Sequence, residues 1–146
     1  MIVELRSTGG QTIVPPSVHP SGESYQWYGE LTPTRIVGND LMKSVRKLAA
    51  CALVARHWQS GQRHDTALAL SGVLLRAGWS RGRVERFVSL VATAANDEEL
   101  DDRVRAVETT EQRIIAGEKA TGLPILTNLI GEKGSCRFAK VAEPVC

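Results

Sequence analysis

Residues 67–75 read Ala-Leu-Ala-Leu-Ser-Gly-Val-Leu-Leu, an apolar run near the middle of a chain of 146 residues. On a helix this run is apolar on nearly every face, and such a helix is buried among neighbours. Gly72 inside it weakens an isolated helix by about 1 kcal/mol relative to alanine, which favours a close helix crossing there. The run therefore predicts a buried helix from about Arg63 to Ala77.

Apolar residues recur at helical spacing on both sides of this run. The preceding helix is predicted to start at Asn39 or Asp40 and to continue to about Trp58. Gly78 ends the helix of the apolar run, and Ser80 can cap the one that follows. Three consecutive helices are therefore predicted before any change of pattern.

Two further helices are predicted beyond them. Asn96 and Glu99 match a capping box, which places the start of a fourth helix at this point. A short fifth helix opens at Leu123. The helical periodicity is lost after Glu132, so residues 133–146 are predicted to form an irregular tail.

The first 38 residues follow a different pattern. Residues 9–22 read Gly-Gly-Gln-Thr-Ile-Val-Pro-Pro-Ser-Val-His-Pro-Ser-Gly. The paired prolines stop a strand, and Ser17 and His19 in extended backbone point to one face. Tyr25 and Trp27 alternate on a return strand, so we expect a β-hairpin with a polar pair at its mouth. A further strand is expected near residues 2–6.

The expected fold class is therefore α+β. A short N-terminal β-hairpin and strand segment, residues 1–38, precedes a mainly α-helical domain of four to five helices, residues 39–132. The tail, residues 133–146, follows it. The chain is 42% hydrophobic and 23% charged, which excludes a disordered or fibrous protein.

The segment at residues 9–22 resembles the bifunctional primase–polymerase domains of phage, plasmid and mobile-element replication proteins, in the archaeo-eukaryotic primase superfamily. Those domains carry Pro-Pro-Ser-x-His-Pro-Ser-Gly followed by an aromatic pair, which here is Tyr25 and Trp27. The resemblance implies that Ser17 and His19 bind the triphosphate of an incoming nucleotide. It also implies a role in DNA replication, with DNA and a nucleotide as partners.

The chain departs from that family at the metal site. The family needs an Asp-x-Asp or Asp-x-Glu pair upstream to hold Mg or Mn for phosphoryl transfer. Only Met1 to Thr8 lie upstream here, and Glu4 is their only acid. We therefore expect a fragment of such a protein, inactive in polymerisation, with no metal bound by this chain alone.

The helical half resembles the region that follows the primase–polymerase domain and precedes a helicase, which implies a helicase as a possible partner. The matching segments are Arg63-His64-Asp65-x-Ala67-Leu-Ala-Leu-x-Gly72, Arg76-Ala-Gly-Trp79 and Thr121-Gly-Leu-Pro124. Arg63 could hold a phosphate at the start of its helix. Alternatively Asp65 caps that helix and Arg63 is solvated, which is the interpretation we favour.

A rival hypothesis is a helix-turn-helix DNA-binding module between Leu68 and Leu90, with Arg81, Arg83 and Arg86 near DNA. The alternative is a helical hairpin whose arginines are solvated or paired with Glu85 and Asp102. A third hypothesis is a structural helical domain that docks to a helicase or to itself.

The charge and the cysteine content further limit the classes of protein to which the chain can belong. The net charge of +2 is too small to indicate nucleic-acid binding by itself. Three cysteines without Cys-x-x-Cys spacing argue against a disulfide framework and fit a cytoplasmic protein. Cys51, His57 and His64 match no zinc pattern, and Cys51 is expected to pack as a small apolar residue. No apolar run approaches membrane-spanning length.

Overall fold

The computed structural model describes residues 9–29, 32 and 34–142, and this part of the chain contains five α-helices and no β-strand. In chain order they are α1 (Gly38–Arg56), α2 (Arg63–Arg76), α3 (Arg81–Ala94), α4 (Leu100–Ile115) and α5 (Leu123–Ala142). None of these five helices is long and apolar enough to cross a lipid bilayer.

The contacts divide the chain into two compact units, with Val45 in the first and Arg46 in the second. Helices α2 to α5 lie wholly in the second unit, whereas α1 crosses the boundary. The predicted domain limits after residues 38 and 132 stay a prediction.

The predicted α+β class, with an N-terminal β-hairpin, is wrong for the described residues. The chain does reverse direction, but Val18 and Ser24 form only an isolated antiparallel bridge. Three backbone hydrogen bonds hold the reversal, and one of them runs from the Gly22 N–H to the His19 carbonyl at 2.8 Å. The His19 N–H donates to the Glu23 carbonyl at 2.7 Å, and the Tyr25 N–H donates to the Ser17 carbonyl at 3.0 Å.

The physical reason lies on both sides of the bridge. Pro15 and Pro16 have no backbone N–H, so the ladder cannot continue through them. The apolar side chains that would support a sheet are exposed, with Ile13 at 59% and Trp27 at 70%. A two-stranded hairpin without a covered apolar face is marginally stable at best. The strand expected at residues 2–6 lies outside the described residues.

Helix α2 is buried among other helices, which confirms the prediction from residues 67–75. It packs against α3, α4 and α5, and Ala67, Leu70 and Leu74 are buried. The buried Ser71 hydroxyl donates to the Ala67 carbonyl at 2.6 Å, so its burial leaves no unpaired donor. The buried apolar residues of the other elements in the second unit are Ala50, Val54, Trp58, Trp79, Val84, Phe87, Val88, Val91, Ala92, Ala106, Val107, Leu126, Ile130 and Phe138.

Gly72 permits a close approach, but the approaching backbone belongs to the loop before α5 and not to a crossing helix. A Cβ atom on Gly72 would overlap the carbonyl oxygen of Thr121. The Arg76 guanidinium, one turn further along α2, donates to the same carbonyl at 3.0 Å and to that of Ala120 at 2.8 Å. Together these contacts dock the start of α5 on α2.

The ends of α2 and α3 are closed in the same way. Gly78 has φ +81, and the Trp79 N–H behind it donates to the Leu74 carbonyl at 3.1 Å, which is a Schellman motif. Asn96 takes the equivalent position after α3, with φ 51. The predicted capping box of α4 is therefore wrong, since Asn96 ends one helix and does not cap the next.

The tail predicted over residues 133–146 is helical as far as Ala142, and residues 143–146 lie outside the described part. The loss of helical periodicity after Glu132 does correspond to a break in α5, but the break is limited to one residue. Gly131 has φ 77 and ψ 160, a conformation that only glycine adopts readily, and helical backbone resumes directly after it.

The second half of α5 contributes to the core. Phe138 is fully buried, and its ring centroid lies 6.2 Å from that of Phe87. The residues that face inward before it, Gly134 and Ser135, are small, so the sequence offers no apolar stripe to predict this segment.

Candidate functional site

An open cavity of about 330 Å³ lies at the chain reversal that contains His19. The residues that line it are His19, Ser21, Glu23, Ser24, Tyr25 and Gln26. The bridge and the His19–Glu23 hydrogen bond bring these side chains together. The imidazole is therefore positioned by a tight turn and not by the end of a strand.

The His19 ring is oriented by its neighbour Ser21. The Ser21 backbone N–H lies 3.1 Å from His19 Nδ1, and the Ser21 hydroxyl lies 2.8 Å from the same atom. A backbone N–H can only donate, so Nδ1 is the acceptor. The proton of the neutral imidazole is then on Nε2, which makes Nε2–H a donor at the other side of the ring.

Ser17, the other residue of the predicted pair, is not among the residues that line this cavity. It is exposed, and its backbone N–H donates to the Val14 carbonyl at 3.1 Å. Ser21 and Ser24 supply the hydroxyl groups beside the imidazole instead. The role of Ser17 as a phosphate ligand stays a prediction.

Arg63, predicted to contact DNA or a phosphate, is held by a buried carboxylate. Its Nη1 lies 3.3 Å from Asp97 Oδ1, and its Nε is buried without a hydrogen-bond partner among the described residues. The alternative of a cap by Asp65 with a solvated Arg63 does not describe this arrangement, whereas contact of Arg63 with a phosphate or DNA stays a prediction. His64 lies elsewhere, at the surface between α2 and α4.

Asp97 is the centre of a polar cluster that the sequence did not indicate. Its side chain is fully buried and accepts hydrogen bonds from Trp58 Nε1 at 2.7 Å, from Arg103 Nε at 2.8 Å and from the Glu99 N–H at 3.1 Å. Burial acts to raise the pKa of this carboxyl, but the donors from Arg103, Trp58 and Glu99 outweigh it and hold the pKa far below its usual range.

Arg81 is engaged by acids of two helices. Its Nε lies 2.7 Å from Glu85 of α3, and its Nη1 lies 3.2 Å from Glu108 and 3.8 Å from Glu111 of α4. The predicted alternative of an arginine paired with Glu85 is therefore present. A DNA contact by Arg81 would have to compete with these carboxylates.

Arg83 and Arg86 are more accessible. Both are exposed on α3, and the Arg83 guanidinium carbon lies 3.6 Å from the ring centroid of Trp79, which is a cation–π contact. The two helices α2 and α3 and the four residues between them give the predicted helix–turn–helix outline. Whether this outline binds DNA stays a prediction.

Cys51 packs against the buried core, as expected, and its burial raises the pKa of the thiol. Among the described residues no group of three or more His, Cys, Asp or Glu side chains is placed to hold a metal ion. The expectation that this chain alone binds no Mg or Mn stays a prediction.

The family model described as bifunctional DNA primase/polymerase, N-terminal, matches residues 1–38. No curated protein and no solved structure matches the chain. The match supports the resemblance of the first segment, whereas that of the helical half stays a prediction. Over about a quarter of its length, the chain is thus similar to replication proteins of the primase/polymerase type.

Proposed function

We propose that this chain serves in DNA replication as part of a primase/polymerase-type protein, and that His19 contacts the phosphates of a nucleotide. The observation that carries the proposal is the orientation of the imidazole. Ser21 occupies Nδ1, so the Nε2–H group remains for an anionic oxygen. The family match over the same residues supports a nucleotide as the source of that oxygen.

The charges of the cavity limit its affinity. Glu23 lines the same cavity as His19, and its carboxylate repels a phosphate that binds in this cavity. One imidazole donor and two serine hydroxyls offset only a small part of the entropy cost of ordering a flexible triphosphate. We therefore expect a weak site, with a dissociation constant of about 0.1–1 mM or more.

The test is the binding of a fluorescent ATP analogue to the full chain, with and without Mn²⁺. His19→Ala should weaken binding at least threefold, whereas Glu23→Gln should strengthen it, because one variant removes a donor and the other a repulsive charge. Asp40→Asn is the matched control, since it removes one exposed carboxylate outside the cavity. Equal affinities for all four proteins would overturn the proposal.

Contact with the DNA backbone is a second candidate function. The specific observation in its favour is the exposure of Arg83 and Arg86 on the second helix of the helix–turn–helix outline. Backbone contact by such side chains is independent of sequence and weakens as salt rises. A stand-alone helix-turn-helix module would in addition bind some DNA sequences more tightly than others. A domain that only docks to a helicase would show neither salt-dependent DNA binding nor sequence preference.

Retention of single-stranded and duplex DNA at low and moderate salt separates these alternatives. Arg86→Gln should lower retention on every DNA sequence and reduce the salt dependence. Lys119→Gln, an exposed charge in the loop after α4, serves as the control. Retention that does not depend on salt and is unchanged in Arg86→Gln would contradict DNA-backbone contact.

A further inference from the structure

A second cavity, of about 380 Å³, lies in the helical unit between α2 and α4. Helix α2 contributes His64 and Leu68 to it. The side chains from α4 are Asp102, Arg105, Ala106, Thr109 and Arg113. This α2–α4 groove shares no residue with the His19 cavity or with the arginines of α3.

The basic residues of the groove form a row along α4. Arg105, Thr109 and Arg113 are spaced by four residues, so they lie on the same side of the helix. The Cα atoms of the two arginines are then about 12 Å apart along the helix axis. The acids of the same stretch, Glu108 and Glu111, are turned towards Arg81 of α3.

The groove consequently keeps an excess of positive charge. Arg105 is paired with Asp102 at 2.8 Å, and both side chains are more than half exposed. Arg113 is exposed and has no ion-pair partner among the described residues. Two guanidinium groups therefore lie beside one carboxylate, with His64 across from them on α2.

We propose that the α2–α4 groove binds phosphate groups, with Arg113 and Arg105 as the principal ligands. A guanidinium fork matches two oxygens of a phosphate. His64 would add a donor from the opposite side. This site goes beyond the proposed nucleotide contact at His19, because it uses other residues in the other unit.

The spacing of the arginines suits linked phosphates more than a single one. About 12 Å of helix separates their Cα atoms, and the long arginine side chains can converge on a chain of three phosphates or on neighbouring phosphates of a nucleic-acid strand. Both sources offer the same chemistry. Inorganic tripolyphosphate represents the free source in the experiment, and a labelled single-stranded oligonucleotide represents the strand.

The experiment uses the full chain carrying His19→Ala, so that the contribution of the first cavity is reduced and is the same in every variant. The test variant adds Arg105→Gln and Arg113→Gln, and the control adds Arg46→Gln and Lys47→Gln, two exposed charges of α1. Relative to the control, the test variant should bind tripolyphosphate about tenfold more weakly, as expected for lost charge-assisted hydrogen bonds. Asp102→Asn should bind more tightly, which a purely structural role would not produce.

Each outcome of this experiment either supports or overturns the groove site. Weakened binding of tripolyphosphate alone supports a free polyphosphate or nucleotide, and weakened binding of both probes supports a strand. No binding by the His19→Ala chain, or equal binding by the test and control variants, overturns the groove site. Because the first cavity carries the same His19→Ala change in every variant, a difference between the test and control variants is independent of it. An unchanged melting temperature in the test variant, expected for exposed side chains, shows that folding is intact.

Discussion

The two parts of the molecule differ in which feature of their sequence predicts their properties. Residues 9–37 carry the segment that matches a known family, yet their hydrophobic side chains include Trp27 at 70% exposure and Tyr28 at 97%. The helical unit has a packed core, and no curated protein or solved structure matches the chain over it. Residue identity is informative in the first part because it specifies chemistry. In the second part periodicity is informative because it specifies burial.

The comparison predicts that stability depends almost entirely on the helical unit. The largest effect is expected at Asp97, because its removal leaves the nearly buried Nε of Arg103 and the indole N–H of Trp58 without their acceptor. Arg103 then keeps only its ion pair with the exposed carboxylate of Glu99. Asp97→Ala should lower the free energy of unfolding by about 3–5 kcal/mol, the usual cost of breaking a buried ion pair. Denaturant titration followed by circular dichroism measures it.

The matched control is Asp101→Ala, an exposed acid in the first turn of α4. Its loss removes only a favourable interaction with the helix dipole, about 0.3–1 kcal/mol. Equal losses for the two variants would mean that the Asp97 cluster is not a structural centre.

Acid should act on the same cluster. The pKa of Asp97 is held well below its usual range by Arg103, Trp58 and Glu99 against the opposing effect of burial. A depressed pKa stabilises the fold above the unfolded value near 4, and that stabilisation is lost as the pH falls towards the folded value. We expect a loss on the order of 2 kcal/mol between about pH 4 and pH 2.

Unfolding at several pH values tests this directly in the wild type and in Asp97→Asn. The asparagine variant should be less stable at neutral pH, and its stability should fall less steeply below pH 4. Parallel curves for the two proteins would assign the acid sensitivity to other carboxylates.

A smaller effect is expected at Gly72, where a loop of the helical unit passes against α2. Gly72→Ala places a methyl group where the Thr121 carbonyl lies, and backbone cannot move as easily as a side chain. Despite the better helix propensity of alanine, we expect a loss of about 1–3 kcal/mol, typical of overpacking. Gly82→Ala in α3, where a Cβ meets nothing within 4 Å, should not destabilise the protein.

The sequence predicted the helices better than the contacts between them. The starts of α2 and α3 lie where the sequence predicted them, although neither N-cap side chain makes a capping hydrogen bond, and Gly78 ends α2 as expected. The Asp97 cluster could not be predicted, since Trp58 and Arg63 lie 39 and 34 positions away in the chain. Local patterns contain no information on which distant donors a buried carboxylate will meet.

The errors have related causes. Strand-like alternation around Tyr25 and Trp27 predicted a hairpin, but a strand also needs a covered face, and Trp27 is exposed. The second half of α5 was missed because small residues precede Phe138 on its buried side. At the candidate site, the motif identified His19, whereas the bond from Ser21 that orients its ring depends on the turn geometry.

The smallest expected effect sharpens the comparison most. Trp27 is exposed, whereas Trp58 and Trp79 are buried at 4% and 5% exposure. Trp27→Phe should change the free energy of unfolding by less than about 0.5 kcal/mol, as usual for an exposed residue. It should also remove the tryptophan emission that acrylamide quenches, and shift the remaining spectrum to the blue, because the two other indoles are shielded from water.

Trp58→Phe provides the opposite case, since it deletes a buried donor to Asp97 and should destabilise the protein clearly. If the quenchable emission instead persists in Trp27→Phe, it comes from Trp58 or Trp79, so the core of the helical unit is accessible in solution and the contrast between the two parts of the chain disappears.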